Sequence, residues 1–471
     1  MRDETIFAGG IPAQYLAICP LDGRYAEIQE ALAPYFSEYA LVKNRVKVEV
    51  FWLQFLIENV EDSDILADFN MNMKEMTKIL AIYNEFSAES FKRVKEIEAV
   101  TNHDVKAVEL FVAEKLEEAG LGWLKSYVHI GCTSEDITNC AYASILKRAL
   151  NEVWIPAAER LIEEVADMAI NYQEIAMLAH THGQPATPTT VGKEFMVYAY
   201  RMRESLDNIE SIKCRAKFNG ATGNYAAISV AFPKENWPEL SKQFVEKCLD
   251  LDFNPVTTQI ESHDYMCRLL DGIRHFNNIM LDLDVDMWLY ISRDYFKQIA
   301  VKSEVGSSTM PHKVNPIRFE NSESNIDMSN AICMALSNKL PRSRMQRDLS
   351  DSSSQRNLGL AFGYSLQAIK QTIGGLKKVA VNKEKIDEDL NNHWSVLAEP
   401  IQTVLRKYGI PDAYDKLKEL TRGKQISAED IKQFIASLDG ISANDKFLLS
   451  MLTPDQYVGF AKKIVEDEYL S

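Results

Sequence analysis

The sequence predicts an all-α protein built around a bundle of long helices. Long intervals without proline, apolar residues that recur at steps of three and four, and a scarcity of alternating strand patterns together predict this fold class. No proline occurs between residues 34 and 156, 255 and 311, or 341 and 400. Because proline breaks the interior of a helix, these intervals leave room for long helices.

Three stretches carry apolar residues on one helical face. The longest predicts a helix about 39 Å long, at ~1.5 Å per residue, and consists of Met266, Leu269, Ile273, Phe276, Met280, Leu283, Met287 and Ile291. The two shorter stripes consist of Leu161, Val165, Met168, Tyr172 and Ile175, and of Phe195, Ala199, Met202, Leu206 and Ile209. Such helices are expected to bury their stripes side by side in a bundle, within the chain or between subunits. The best candidate for a strand is 226–231.

The length of 471 residues favours two or three domains. We predict an N-terminal helical domain over 1–122, a central long-helix bundle over 123–376 and a C-terminal helical domain over 377–471. Glycine, proline and hydroxyl residues concentrate in loops, where chemistry usually resides. These loops are 20–25, 131–136, 180–192, 219–225, 304–316 and 348–357.

Bulk composition excludes several classes of protein. The net charge of −16, from 52 basic and 68 acidic residues, argues against a general affinity for nucleic acid or an anionic membrane. Seven cysteines without a CxxC pair favour reduced thiols over a disulfide framework or a structural zinc site. No signal peptide is visible, and no apolar run reaches the ~18 residues that a membrane span needs. We therefore expect a cytoplasmic protein.

The segment 306–316 reads GSSTMPHKVNP and brings hydroxyls, a cation, an amide and two prolines into one loop. It resembles the signature of the fumarase/aspartase superfamily, whose enzymes remove a proton beside a carboxylate and break a C–N or C–O bond on the next carbon. Lys313 and Asn315 supply a cation and an amide that can stabilise the dianionic intermediate. The resemblance implies that Ser307 is the base and that Ser308 positions or binds the substrate. An ordinary surface turn is the alternative.

The segment 180–188 reads HTHGQPATP and holds a histidine between glycine and proline. Histidine titrates near neutrality and suits general acid catalysis. The superfamily resemblance assigns His182 as the acid that protonates the departing nitrogen, with a purely structural histidine as the alternative. For His180 we favour the structural role.

Two further segments point to a subfamily. TNHDVKA at 101–107 and HIGCTSEDI at 129–137 resemble adenylosuccinate lyases, closest to the long proteobacterial type. The resemblance implies substrate contacts from Asn102, His103 and Asp104, with His103 also supporting the acid–base chemistry and Asp104 orienting a histidine. Thr133 and Ser134 suit a succinyl carboxylate. Helix capping is the alternative for both segments, and capping and binding can coexist.

Several other polar residues complete the resemblance. DGRY at 22–25 implies that Arg24 binds the substrate phosphate beside Tyr25, because the guanidinium fork can bond two phosphate oxygens at once. The remaining residues that resemble substrate contacts are Gln259, Asn321, Arg347, Ser352 and Arg356. A structural salt bridge is the alternative for any one of the arginines.

The resemblance implies a fumarase/aspartase-like fold of three helical domains, in which the central long-helix bundle forms the core of a homotetramer with shared active sites. It implies a succinyl-purine nucleotide substrate, with elimination of fumarate from adenylosuccinate and from SAICAR, in the biosynthesis of AMP and IMP. No cofactor and no metal are expected, and neither a nucleic acid nor a membrane is an expected partner. The alternatives are another fumarate-releasing lyase, such as argininosuccinate lyase, and a non-catalytic helical scaffold.

Overall fold

The computed structural model describes residues 16–61, 73–299, 310, 313–412, 417–418 and 426–469. Helices dominate these residues, so the predicted all-α class is confirmed. In chain order the α-helices are α1 (Ala26–Phe36), α2 (Glu38–Asn59), α3 (Met73–Asn84), α4 (Ala88–Thr101), α5 (Asp104–Glu118), α6 (Ser134–Ala149), α7 (Ile155–Asn171), α8 (Val191–Glu210), α9 (Ala226–Ala231), α10 (Trp237–Gln243), α11 (Asp264–Ser292), α12 (Ile317–Lys339), α13 (Ser350–Gln355), α14 (Leu358–Leu376), α15 (Lys383–Asn392), α16 (Ala398–Lys407), α17 (Ala428–Ser437), α18 (Ala443–Met451) and α19 (Ala461–Tyr469).

Strands are few and short within the described residues. They are β1 (Ala176–Leu178), β2 (Pro188–Thr190), β3 (Arg215–Ala216), β4 (Asp252–Phe253), β5 (Phe296–Gln298) and β6 (Val379–Val381). They form three two-stranded sheets, of which β1–β2 and β5–β6 are antiparallel and β3–β4 is parallel. These short strand pairs connect loop segments and do not form a core.

The chain divides into two compact units. The first unit comprises Met1–Ala157, Ser205–Asn277 and Ser324–Ala368, and the second comprises Ala158–Glu204, Asn278–Glu323 and Ile369–Ser471. Each unit is therefore assembled from three separate stretches of sequence. The domain borders near 122 and 377 stay a prediction.

The core of the first unit forms around α2, which packs against α3, α5 and α6. Ser37 caps α2 by accepting a hydrogen bond from the backbone N–H of Ala40, as expected of a serine before a helix. Val46, Leu53 and Phe111 are among the side chains buried there. This rigid core carries the starts of α5 and α6, where several predicted site residues lie.

The long apolar stripe lies on α11, which at ~1.5 Å per residue is about 43 Å long. Met266, Leu269, Ile273, Phe276, Met280, Leu283 and Met287 are all buried, and Ile291 at the end is half-buried. The stripe on α8 is buried along its whole length. The stripe that begins at Leu161 is buried within α7, but its last two members follow the helix and are half-buried.

The prediction of a strand at 226–231 was wrong, since these residues form α9. Ile228 is the single buried side chain of α9, and Val230 is 82% exposed, so the segment has no alternating buried face to offer a sheet. Tyr225, at φ 60, turns the chain directly into the helix. The predicted loop 348–357 likewise contains the short helix α13. Among the described residues, no helix has the length and apolarity that crossing a bilayer requires.

Candidate active site

In the second unit, the β1–β2 pair brackets the segment that carries His182. Ala176 pairs with Thr190 and Leu178 with Pro188, so the intervening residues form a short closed loop. His182 adopts a left-handed backbone conformation, with φ 55, and its side chain is exposed. A non-glycine residue in this conformation needs support from its surroundings. The strands therefore present the imidazole to solvent on a fixed turn.

The side chain of His180 contacts Tyr295 and Asp389. Its ring packs edge-on against Tyr295, and its Nε2 is 4.0 Å from Asp389 Oδ2. The Tyr295 hydroxyl donates to Asp389 over 2.6 Å. Burial, followed by the charge of Arg293, lowers the pKa of His180 below its usual value. These contacts favour the structural role for His180.

Lys313, Asn315 and Asn321 lie at the start of α12 in the same unit. Lys313 is exposed and its backbone N–H donates to Met310 O, which turns the chain just before the helix. Asn315 and Asn321 are half-buried. The predicted base Ser307 and its neighbour Ser308 lie outside the described residues.

In the first unit, Asn102, His103 and Asp104 form the junction between α4 and α5. Asn102 ends α4 at φ 51, in the left-handed conformation that asparagine tolerates well. His103 caps α5, because its Nδ1 accepts a hydrogen bond from the backbone N–H of Lys106 at 3.1 Å. An Nδ1 that accepts this bond is unprotonated, so a neutral ring carries its proton on Nε2. Capping thus occurs, and it leaves Nε2 available as a donor.

A group of ion pairs surrounds Asp104. Its Oδ2 is 2.8 Å from Nη1 of the buried Arg45 and 3.2 Å from Nη2 of Arg356. Arg356 also binds Glu38 at 2.6 Å. Asp104 Oδ1 is 4.0 Å from His103 Nδ1, too far for a hydrogen bond. In this structure the carboxylate therefore orients two arginines.

Thr133 and Ser134 begin α6 and are half-buried. The backbone N–H of Thr133 donates to Asp136 Oδ2 at 2.8 Å, one half of a capping box. Asp136 is itself fully buried and pairs with Lys217 at 2.9 Å. The capping interpretation is correct for Thr133.

Arg347 and Ser352 contact one another near α13. Arg347 Nη2 donates to Ser352 Oγ at 3.3 Å, and Arg347 Nη1 is 3.6 Å from Glu135 Oε2. Gln259 lies half-buried in the loop before α11. Arg24 is exposed between a short 3₁₀ turn and α1, beside the half-buried Tyr25. The first unit thus brings Arg356 to Asp104 and Arg347 to Ser352.

One group of buried side chains has the atoms of a metal site. Glu135, His263 and Asp351 each offer a ligating atom, and these atoms lie within 4.8 Å of one another. The positive charge of Arg347 beside Glu135 already balances part of the acidic charge. A cation would compete with that arginine, so the arrangement fits a protonated imidazole better than a metal ion.

Comparison with known proteins identifies the family. A family model described as lyase matches residues 23–329, and one described as adenylosuccinate lyase C-terminal matches residues 343–458. The adenylosuccinate lyase of Escherichia coli is 47% identical over 96% of this chain and 98% of its own length. That of Haemophilus influenzae is 46% identical over the same shares of the two chains. The chain belongs to the adenylosuccinate lyase family.

Solved structures agree with this family at the level of the fold. A fumarate lyase from Mesorhizobium sp. BNC1 superposes with a TM-score of 0.75 at 16% identity, covering 95% of this chain and 98% of that chain. A β-carboxy-cis,cis-muconate cycloisomerase from Acinetobacter calcoaceticus gives a TM-score of 0.70 at 16% identity, covering 94% and 99%. The family predicted from the motifs is confirmed, and with it the class of carbon–nitrogen lyases.

Three residues that arrange the site of this adenylosuccinate lyase family member do not stand out in its sequence. Arg45 lies among other charged residues of α2, namely Lys43, Lys47 and Glu49. His263 and Asp351 are 88 positions apart and meet only in the folded chain.

Proposed function

We propose that the chain catalyses the anti β-elimination of fumarate from adenylosuccinate, giving AMP, and from SAICAR, giving AICAR. The observation that carries this proposal is the identity of 47% to an adenylosuccinate lyase over 96% of the chain. The sequence retains a hydroxyl at Ser307, an imidazole at His182 and an ammonium at Lys313, which are the groups that the reaction needs.

In the proposed reaction, Ser307 removes a proton from the succinyl CH2 carbon, next to the carbon that carries the nitrogen. The resulting negative charge spreads over the carboxylate attached to that CH2 carbon, where Lys313 and Asn315 stabilise it. The electron pair then forms the double bond of fumarate as the C–N bond on the adjacent carbon breaks. His182 delivers a proton to the departing nitrogen, so that one substrate gives the amino-purine nucleotide and fumarate. The exposed position of His182 on a fixed turn supports this role.

Another set of residues would contact the rest of the substrate. We assign Arg24, Arg347, Ser352 and Arg356 to the nucleotide, with the phosphate as the group best matched by guanidinium. The side chains of Arg24 and His103 are exposed, which supports phosphate contacts from both. The assignments of Tyr25, Asn102, Asp104, Thr133, Ser134, Gln259, Ser308 and Asn321 as substrate contacts remain part of this proposal.

A fumarate-release assay tests the reaction. The purified chain is mixed separately with adenylosuccinate, SAICAR and argininosuccinate, and fumarate is followed by absorbance. We expect fumarate release from adenylosuccinate and SAICAR and none from argininosuccinate. We also expect His182→Gln to abolish this release. Fumarate release from argininosuccinate alone would instead support an argininosuccinate lyase. No fumarate release from any of the three substrates would support a non-catalytic scaffold.

We also propose a homotetramer with shared active sites as the working form. Several apolar side chains on long helices are exposed, among them Val285 at 40%, Trp288 at 44% and Leu289 at 43% on α11. A run of exposed apolar residues on a long helix is typical of a surface covered by another chain. We place the enzyme in the cytoplasm, because all seven of its cysteines are free thiols.

Light scattering tests the assembly. A tetramer has four times the chain mass of 53.5 kDa. Val285→Asp should lower the measured mass, because it introduces a charge into the proposed interface. Val230→Asp is the matched control, since Val230 is 82% exposed on α9 and outside that surface. A monomeric wild-type chain would contradict the proposal.

A further inference from the structure

The buried triad, defined as Glu135, His263 and Asp351, lies in the first unit. His263 is fully buried, and the side chains of Glu135 and Asp351 are 2% and 4% exposed. His263 Nε2 is 3.4 Å from Asp351 Oδ2, and Glu135 Oε1 has no hydrogen-bond partner within the described part of the chain. Two buried carboxylates need a nearby positive charge, and the imidazole is placed to provide it.

The backbone fixes the orientation of His263. Its φ is 61, in the left-handed region, and its carbonyl accepts from Cys267 at the first turn of α11. Its own N–H donates to Glu261 Oε2 at 2.6 Å, and Asn254 holds the other oxygen of Glu261 at 2.8 Å. An uncommon conformation held by this many contacts indicates a required side-chain direction.

Charge also favours a protonated imidazole. Burial lowers the pKa of His263, but the hydrogen bond to Asp351 and the charges of Glu135 and Glu261 outweigh it and raise the pKa above its usual value. Burial raises the pKa of Glu135 to about 7. Both shifts favour a proton held within the buried triad.

Each member of the buried triad is close in sequence to a proposed substrate contact. Glu135 follows Ser134 directly, and Asp351 directly precedes Ser352. His263 lies four positions after Gln259, in the same loop. Three separate segments with proposed contacts therefore meet at one buried imidazole.

An ion pair and two hydrogen bonds connect the buried triad to Arg347. Arg347 Nη1 is 3.6 Å from Glu135 Oε2, and its Nη2 donates to Ser352 Oγ at 3.3 Å. The N–H of Ser352 donates to Asp351 Oδ1 at 2.7 Å. Contacts thus run from His263 through Asp351 and Ser352 to Arg347 and Glu135, and a Glu135 carboxylate oxygen lies within 4.8 Å of the imidazole.

We propose that His263 is a positioning residue, which orients Arg347 and Ser352 for the substrate by holding Glu135 and Asp351 in place. This inference rests on the proposed function, because the contacts that it serves are proposed contacts. His263 touches no reacting atom in this scheme. It sets substrate affinity through Arg347, whereas the chemical step belongs to Ser307 and His182.

A double-mutant cycle tests whether His263 acts through Arg347. His263→Gln keeps a hydrogen-bond donor but removes the charge, and we expect it to raise the KM for adenylosuccinate roughly tenfold with kcat changed less than about threefold. Arg347→Lys should raise KM as well. If the two residues act together, the fold increase in KM of the double variant should be well below the product of the fold increases of the two single variants.

The control for general destabilisation is Ser365→Ala. Ser365 is buried in the same unit, where it accepts from Trp154 and donates to Asn277. This variant should lower the thermal midpoint and leave KM unchanged. An unchanged KM in His263→Gln, or single effects on KM that multiply fully in the double variant, would overturn the positioning role.

A second variant covers the case in which His263→Gln does not fold. Asp351→Asn keeps the shape of the side chain and weakens its attraction for the imidazole, and we expect KM to rise about threefold. A KM equal to that of the wild type would overturn the proposal by this route. Turnover of adenylosuccinate by the wild type is measured first, so its absence refutes the proposed function, whereas turnover with unaffected KM in the variants refutes only the positioning role.

Discussion

Asp104 Oδ2 lies 2.8 Å from Arg45 Nη1 and 3.2 Å from Arg356 Nη2, so one oxygen joins a buried arginine to an exposed one. Burial raises the pKa of Asp104, but the charge and hydrogen bond of Arg45 and the charge of Arg356 outweigh it and hold the pKa below its usual value. The carboxylate is therefore charged at neutral pH. It aligns Arg356, which we assign to the nucleotide, at the start of α5.

Replacing Asp104 should destabilise the protein. Asp104→Asn leaves the charge of Arg45 without its partner in a buried position, and we expect a loss of about 2 kcal/mol in the free energy of unfolding. Urea titration measures it. Glu114→Gln is the control, because Glu114 pairs with Arg93 at the surface, where both side chains are more than one-third exposed, and the expected loss there is below ~0.5 kcal/mol. Equal losses in the two variants would contradict the argument.

Periodicity predicted the long helices because one buried face leaves a repeat in the sequence. The stripes on α8 and α11 could be identified for this reason, since their buried side chains recur at every turn. The segment 226–231 was misread because a short helix with one buried residue, Ile228, leaves no period to detect.

Motifs predicted positions in the candidate site but not partners. Helix capping was the alternative for the segments 101–107 and 129–137, and the structure places the caps at His103 and Thr133. The pair of Arg45 and Asp104 is separated by 59 positions and arises only when α2 packs against α5. No local pattern encodes such a contact.

The pair of His129 and Glu49 should make stability depend on pH. His129 Nδ1 is 2.6 Å from Glu49 Oε1. Burial lowers the pKa of His129, but the hydrogen bond and charge of Glu49 outweigh it and raise the pKa above its usual value. A raised pKa in the folded state means that the stabilisation is fully present below about pH 6.5, the pKa in the unfolded chain, and is lost as pH rises through the folded pKa.

Unfolding in urea across this pH range tests the pair. The free energy of unfolding of the wild type should exceed that of His129→Gln by about 1 kcal/mol at low pH, and this difference should shrink as pH rises. In a Glu49→Gln background, the same replacement should show little dependence on pH, because the charged partner is gone. A difference between wild type and His129→Gln that stays constant with pH would count against the pair as its source.

Loss of the proposed base should separate binding from chemistry. Ser307→Ala removes the hydroxyl that takes the carbon proton, so we expect kcat to fall by about 10³-fold or more, with little change in affinity. Fumarate release measures the first quantity and calorimetric titration with adenylosuccinate measures the second. Ser365→Ala, which alters a buried hydroxyl outside the proposed site, should retain turnover. Near-normal kcat in Ser307→Ala would exclude this serine as the base.

Mixed tetramers should reveal whether active sites are shared between subunits. His182→Ala and Ser307→Ala are each expected to be inactive, because each lacks one of the two groups that move protons. If these groups come from different chains, a co-refolded equal mixture contains sites with both groups intact, at about one-quarter of the total for random assembly. Fumarate release from the mixture, compared with each variant refolded alone, measures that recovery. No recovery, with light scattering confirming that mixed tetramers formed, would mean that one chain supplies both residues to each site.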